Sequence, residues 1–210
     1  MPKTQRTLVI DSATEACSAA LFEDGAYLAG LREILGRGHA ERLITMIAEL
    51  PGKGRAERIV VSLGPGSFTG VRIGLATARA LGLAWKASVL GYPTLALVAA
   101  MARETHPGPV TVCMTGGHGE WFVQDFADDG MPEDKAHSLT PTQAASDARY
   151  PVIAGSKAKE FAVFAGPGQV ILDLLPDARQ FPRLPEALLS TDLAPLYGRA
   201  PDARLPAGAT

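Results

Sequence analysis

The chain has 210 residues, 47% of them apolar and 20% charged, enough for one large core or two smaller lobes of a soluble globular protein. A net charge of −2 supplies no whole-chain basic field, so tight unaided binding of nucleic acid through its phosphates is not indicated. The two cysteines, Cys17 and Cys113, exclude a disulfide framework, and the apolar runs are too short for a signal peptide or a membrane span, so cytoplasm is the expected location.

Thr7 to Asp11 is a short β-rich run, Ala16 to Phe22 follows it, and Glu23-Asp24-Gly25 turns the chain into Ala26 to Glu33. This pattern predicts three consecutive antiparallel strands. Apolar residues then recur at helical spacing through Ala40, Leu43, Ile44, Met46, Ile47 and Leu50 until Pro51-Gly52 stops them. Ile59 to Leu63 is expected as a fourth strand, Gly70 to Trp85 as a second helix, Ser88 to Gly91 as a fifth strand and Pro93 to Glu104 as a third helix. The order βββαβαβα predicts an α/β lobe over residues 1–105, with helices against a mixed sheet. It is the element order of the actin-like and sugar-kinase-like (ASKHA) fold.

His106-Pro107-Gly108-Pro109 breaks the pattern, and a smaller second lobe is expected over residues 106–190. Its elements read as a hairpin of Val110 to Met114 with Trp121 to Phe126, a short helix from Pro141 to Ala148, and a strand from Val152 to Ala154. Lys157 to Phe164 reads as a further strand, Ile171 to Leu175 as an apolar run bounded by prolines, and Leu184 to Leu189 as a last helix. Residues 191–210 form a C-terminal segment whose end, from Pro201, has little apolar content and is expected to be mobile.

The stretch that organises the chain is Ser62 to Lys86, a strand end, the loop Gly64-Pro65-Gly66 and a long helix that Ser67 or Thr69 caps. A helix N-terminus attracts anions, and Asp11 closes the first strand where this element order points a carboxylate and hydroxyls into a cleft. Asp11, Ser12, Thr14, Gly64, Gly66, Ser67, Thr69 and Arg72 are therefore the candidate phosphate and cleft residues. The glycine spacing is one residue too long for a dinucleotide fingerprint, and no G-K-[ST] follows to make a P-loop. Arg72 stands in a first turn with no acid, against the helix dipole by about 0.3–1 kcal/mol, so an anion should answer it, an internal one such as Asp11 or a ligand.

Along the same helix Gly70, Gly74, Ala78 and Gly82 recur every four residues. Interior glycine costs about 0.5–1 kcal/mol relative to alanine, so Gly74 and Gly82 call for a closely approaching backbone. That neighbour is either the sheet of this chain or a helix of another.

The catalytic inventory is thin. His39, His106, His118 and His137 form no pair at metal-binding spacing, and Gly66-Ser67-Phe68 lacks the G-x-S-x-G of a nucleophile elbow, leaving Ser67 a capping role.

The segments DSATEACSAALFEDG, HAERLITMIAEL and above all LGPGSFTGVRIGLATARALGLA resemble the bacterial TsaB family, and DLAPLYGRAPDA resembles that family's closing motif. The resemblance implies a non-catalytic subunit of the machinery that installs threonylcarbamoyl on adenosine in tRNAs decoding ANN codons. It implies a heterodimer with the catalytic paralogue TsaD, an ATPase partner TsaE, a homodimer when TsaD is absent, and tRNA contact only through the complex. No cofactor is expected on this chain alone, although a nucleotide at the interface of the assembled complex stays open. TsaD carries a metal-binding H-x-x-x-H on its next helix, where this chain has Thr94 and Val98. The resemblance places the partner surface on the two helices, at Leu43, Met46, Ile47, Leu50, Gly70, Val71, Gly74, Leu75, Ala78, Arg79 and Gly82. Thr115-Gly116-Gly117 departs from the family's D-A-R-like segment ahead of Glu120 and Trp121, and the region from Gly166 to Pro185 is short. Two other readings remain: a metal- or ATP-dependent peptidase-like or kinase-like enzyme, and a stand-alone homodimeric binding module.

Overall fold

The computed structural model describes residues 4–198, so the expectation for the tail from Pro201 lies outside the described residues. Strands β1 (Arg6–Asp11), β2 (Ala16–Glu23) and β3 (Ala26–Ile34) pair antiparallel in succession, and Asp24-Gly25, both at positive φ, makes the tight turn between the last two. β4 (Arg58–Ser62) and β5 (Ser88–Tyr92) add in parallel beside β1, giving the order β3-β2-β1-β4-β5. Parallel neighbours need a crossover, and α2 (Phe68–Trp85) supplies it between β4 and β5, while α1 (His39–Glu49) precedes β4. This mixed sheet has the ASKHA topology expected from the element order.

The period-2 alternation of the strands builds two faces. Leu8, Ile10, Ile59 and Val61 join Leu43 and Met46 of α1 and Val71, Leu75 and Ala78 of α2 in one core. Val9 and Val60 join a second core with α3 (Thr94–Thr105), whose Leu95, Leu97, Val98 and Ala99 are fully buried. That same core takes in Val110, Val112 and Met114 of β6 (Val110–Thr115) and Phe122 and Phe126 of β7 (Trp121–Phe126), so α3 lies between two sheets. The second sheet has the order β10-β9-β6-β7-β8, completed by β8 (His137–Leu139), β9 (Val152–Ala154) and β10 (Val170–Leu172). Its outer face, Cys113, Trp121 and Ile153, packs on Ala144 of α4 (Pro141–Asp147) and on Ala158 and Phe161 of α5 (Ala158–Ala165).

Three expectations change. Residues 157–164, read as a strand, belong to α5, because Ala158 and Phe161 meet the sheet at i, i+3 spacing while Val163 points to solvent. The helix expected over Leu184 to Leu189 is replaced by short 3₁₀ turns, Ala178–Arg183 and Glu186–Leu188, since Pro182 and Pro185 remove the amide donors a longer helix needs. The second helix begins at Phe68, two residues earlier than expected, with Ser67 as its cap: the Gly70 amide donates to Ser67 Oγ at 3.2 Å.

After these turns the chain returns to the first sheet. Gly91 and Ser190 exchange backbone hydrogen bonds of 2.8 and 2.9 Å, and the Leu196 amide donates to the Leu63 carbonyl at 2.8 Å. This C-terminal strap ends beside the loop that opens α2.

Candidate functional site

The loop after β1 ties the first sheet to both surface helices. Asp11, 1% exposed, accepts from the Ala13 amide at 3.0 Å and from the Tyr92 hydroxyl at 2.7 Å. Burial pushes its carboxyl up to about 6 against those two stabilising hydrogen bonds, with the nearby negative Asp177 adding to the rise. Ser12 Oγ donates to the Gly70 carbonyl at 2.9 Å, the Ser67 amide donates to the Ala13 carbonyl at 2.7 Å, and His39 Nε2 donates to the Thr14 carbonyl at 2.8 Å. The glycines allow this close seating: a Cβ at Gly66 or Gly70 would stand 2.1 Å from the carbonyl oxygen of Ala13 or Ser12.

Beyond that loop opens a cleft of about 560 Å³ between the α2 N-terminus and the second sheet. Of the candidate phosphate residues it brings together Thr14, Gly66, Ser67 and Arg72, facing Thr115 to His118, Ser156 and the strap residue Tyr197. Asp11, Ser12, Gly64 and Thr69 do not line it. Asp11 and Ser12 lie beneath, spent on the loop's own hydrogen bonds. Asp11 is therefore not the anion that answers Arg72. Instead, the Arg72 guanidinium lies 3.6 Å from the centroid of the Phe68 ring and donates to the Tyr197 hydroxyl at 3.2 Å. Tyr197, 125 positions away in sequence, carried no signal that linked it to Arg72.

The residues expected to form a partner surface are mostly turned inward. Leu43, Met46, Ile47, Leu50, Gly70, Val71, Gly74, Leu75, Ala78 and Gly82 are all buried inside this chain. A Cβ at Gly74 would sit 2.7 Å from Ser12 Oγ, and one at Gly82 would sit 2.5 Å from Val89 Cγ2, so the glycine stripe faces this chain's own first sheet. Of that set Arg79 alone is exposed, and it donates to the Leu193 carbonyl of the strap at 3.0 Å. The exposed residues of the pair include Ile44 of α1, 51% exposed, and Leu83 of α2, 84% exposed, with Thr69, Ala76, Ala80 and Ala84 open along the same side of α2 as Leu83. Its sequence signal was present: Ala76, Ala80 and Ala84 repeat every four residues on the side of α2 opposite the glycines.

Thr94 is fully buried and bonded to the Ser62 hydroxyl, and Val98 is core. Among the described residues no group of three or more His, Cys, Asp or Glu is placed to hold a metal ion, and no helix is long and apolar enough to cross a membrane.

The family model described as TsaD: tRNA N6-adenosine threonylcarbamoyltransferase matches residues 32–163. The tRNA threonylcarbamoyladenosine biosynthesis protein TsaB of Escherichia coli is 36% identical over 130 residues, 59% of this chain and 56% of that protein. The protein of the same name from Haemophilus influenzae is 35% identical over 104 residues, 47% of this chain and 44% of that protein. The chain thus spans about half the length of the curated relatives it matches. Among solved structures, YeaZ from Pseudomonas aeruginosa superposes with a TM-score of 0.73 at 28% identity, covering 86% of this chain and 90% of that one. With the glycine loop, the ASKHA sheet and these matches in agreement, the chain belongs to the family that the TsaD model describes and, within it, to the TsaB proteins.

Proposed function

We propose that this chain is a non-catalytic scaffold subunit for tRNA threonylcarbamoyladenosine formation in the cytoplasm, binding and activating a TsaD-like catalytic paralogue with a TsaE-like ATPase. The observation that carries the reading is the exposed surface of α1 and α2. Ile44 and Leu83 project to solvent, and the alanines on the Leu83 side of α2 let a second helix approach closely. Large exposed side chains grouped on one helix pair mark an interaction surface. The same face serves a homodimer when the paralogue is absent. The 560 Å³ cleft brings Thr14, Ser67 and Arg72 together beside Glu15 and His118. A nucleotide, where one is used, belongs to the assembled complex.

Size-exclusion chromatography with light scattering on mixed subunits tests this. Leu83→Asp and Ala80→Glu are expected to abolish the heterodimer while the chain stays folded. Gly74→Leu is expected to unfold the chain instead, because its side chain meets the first sheet. Heterodimer retained by both surface variants sinks the proposal, as does ATP turnover by the isolated chain.

A further inference from the structure

At the mouth of the cleft Phe68 is 58% exposed and Tyr197 is 50% exposed, their ring centroids 5.9 Å apart at an interplanar angle of 30°. The Arg72 guanidinium lies against the Phe68 ring and bonds the Tyr197 hydroxyl, which joins the three side chains into one outward-facing cluster. The two exposed rings come from α2 and from the strap that returns beside its N-terminus. Arg79 stands two turns further along α2, and Lys86 two turns beyond that, both exposed, while Phe68 to Lys86 contains no acidic residue. Among the described residues Arg72 and Arg79 meet only neutral oxygens, the Tyr197 hydroxyl and the Leu193 carbonyl, so their charges are left for something else to neutralise. Aromatic rings and a guanidinium plane that stack bases, beside cations that meet phosphates, are the combination that recognises single-stranded RNA. An acidic protein segment would answer the cations but would leave the tilted aromatic pair unused.

We propose that the Phe68, Arg72 and Tyr197 cluster, continued by Arg79, is a direct contact surface for unpaired nucleotides of RNA. The inference rests on the reading that the chain serves tRNA modification, and it goes beyond that reading by giving this subunit an RNA contact of its own. The test is fluorescence anisotropy with a labelled, unmodified transcript of a tRNA decoding an ANN codon, titrated at several salt concentrations with the paralogue complex and with the chain alone. The double variant Phe68→Ala/Tyr197→Ala is expected to weaken binding about tenfold, and Arg72→Gln to weaken it and to flatten its salt dependence. Both variants are expected to keep the wild-type circular dichroism and to form the complex normally. Unchanged RNA affinity, or a wild-type complex that forms but does not bind the transcript, overturns the inference and leaves the scaffold reading standing. Variants that lose the paralogue rather than the RNA also overturn it, making the cluster a protein contact. If no complex forms, the scaffold reading fails and the RNA contact is decided on the chain alone.

Discussion

Asp11 is the residue whose chemistry is most altered by its surroundings. Its carboxyl lies at about 6 in the folded chain against an ordinary 3.8, so between pH 4 and 6 the native form holds a proton that the unfolded chain has released. Stability therefore falls as pH rises through that window and levels off above it, a difference of about 3 kcal/mol between the two limits for this group. Asp11→Asn removes the titration while keeping the neutral hydrogen-bonding shape. In urea unfolding from pH 4 to 7 the variant should lose this downward slope; a slope equal to that of the wild type refutes the assignment. Gly70 gives a second test at this scale. In an ordinary helix, glycine to alanine gains up to about 1 kcal/mol. Here the added methyl would meet a backbone oxygen at 2.1 Å, and overpacking of that kind costs about 1–3 kcal/mol or more. The clash outweighs the propensity, so Gly70→Ala should lower the urea midpoint.

At the scale of elements, two apolar helices, α2 and α3, are covered to different extents. The α2 sequence is apolar on nearly all sides, yet the helix leaves one side open, with Leu83 84% exposed. It is α3 that is enclosed, because a second sheet closes over it. The sequence showed that α2 needs close backbone approach; it did not show on which side, since glycine and alanine stripes both permit it. The α5 segment misled for another reason. Ala158 to Ala165 alternates neither cleanly by two nor over enough turns for a helical period to stand out. The two registers separate on substitution: a strand puts Phe161 and Val163 on one face, whereas the helix buries Phe161 at 1% exposure and leaves Val163 at 81%. Phe161→Ala should cost about 3–5 kcal/mol and Val163→Ala less than about 0.5, measured by denaturant unfolding. Equal costs would contradict the helix.

Across the whole molecule, α3 and the core it shares with β6 and β7 make the two sheets depend on one another. Each side has one tryptophan, Trp85 on α2 and Trp121 on β7. In each single-tryptophan variant, Trp85→Phe and Trp121→Phe, the fluorescence of the remaining tryptophan should therefore report the same denaturation midpoint as circular dichroism of that variant. Two separated transitions would mean that α3 does not couple the sheets.

Strand alternation, helix punctuation by Pro51-Gly52 and the glycine loop were enough for the sequence alone to determine the first sheet's elements and their order, because local periodicity and turn chemistry set them. Only the tertiary structure decided that the glycines face inward and the alanines outward, that Asp11 lies beneath the cleft rather than in it, and that Tyr197 completes the cluster around Arg72. Each of those outcomes depends on contacts between segments distant in sequence, and local patterns carry no information about which distant partner occupies a given face.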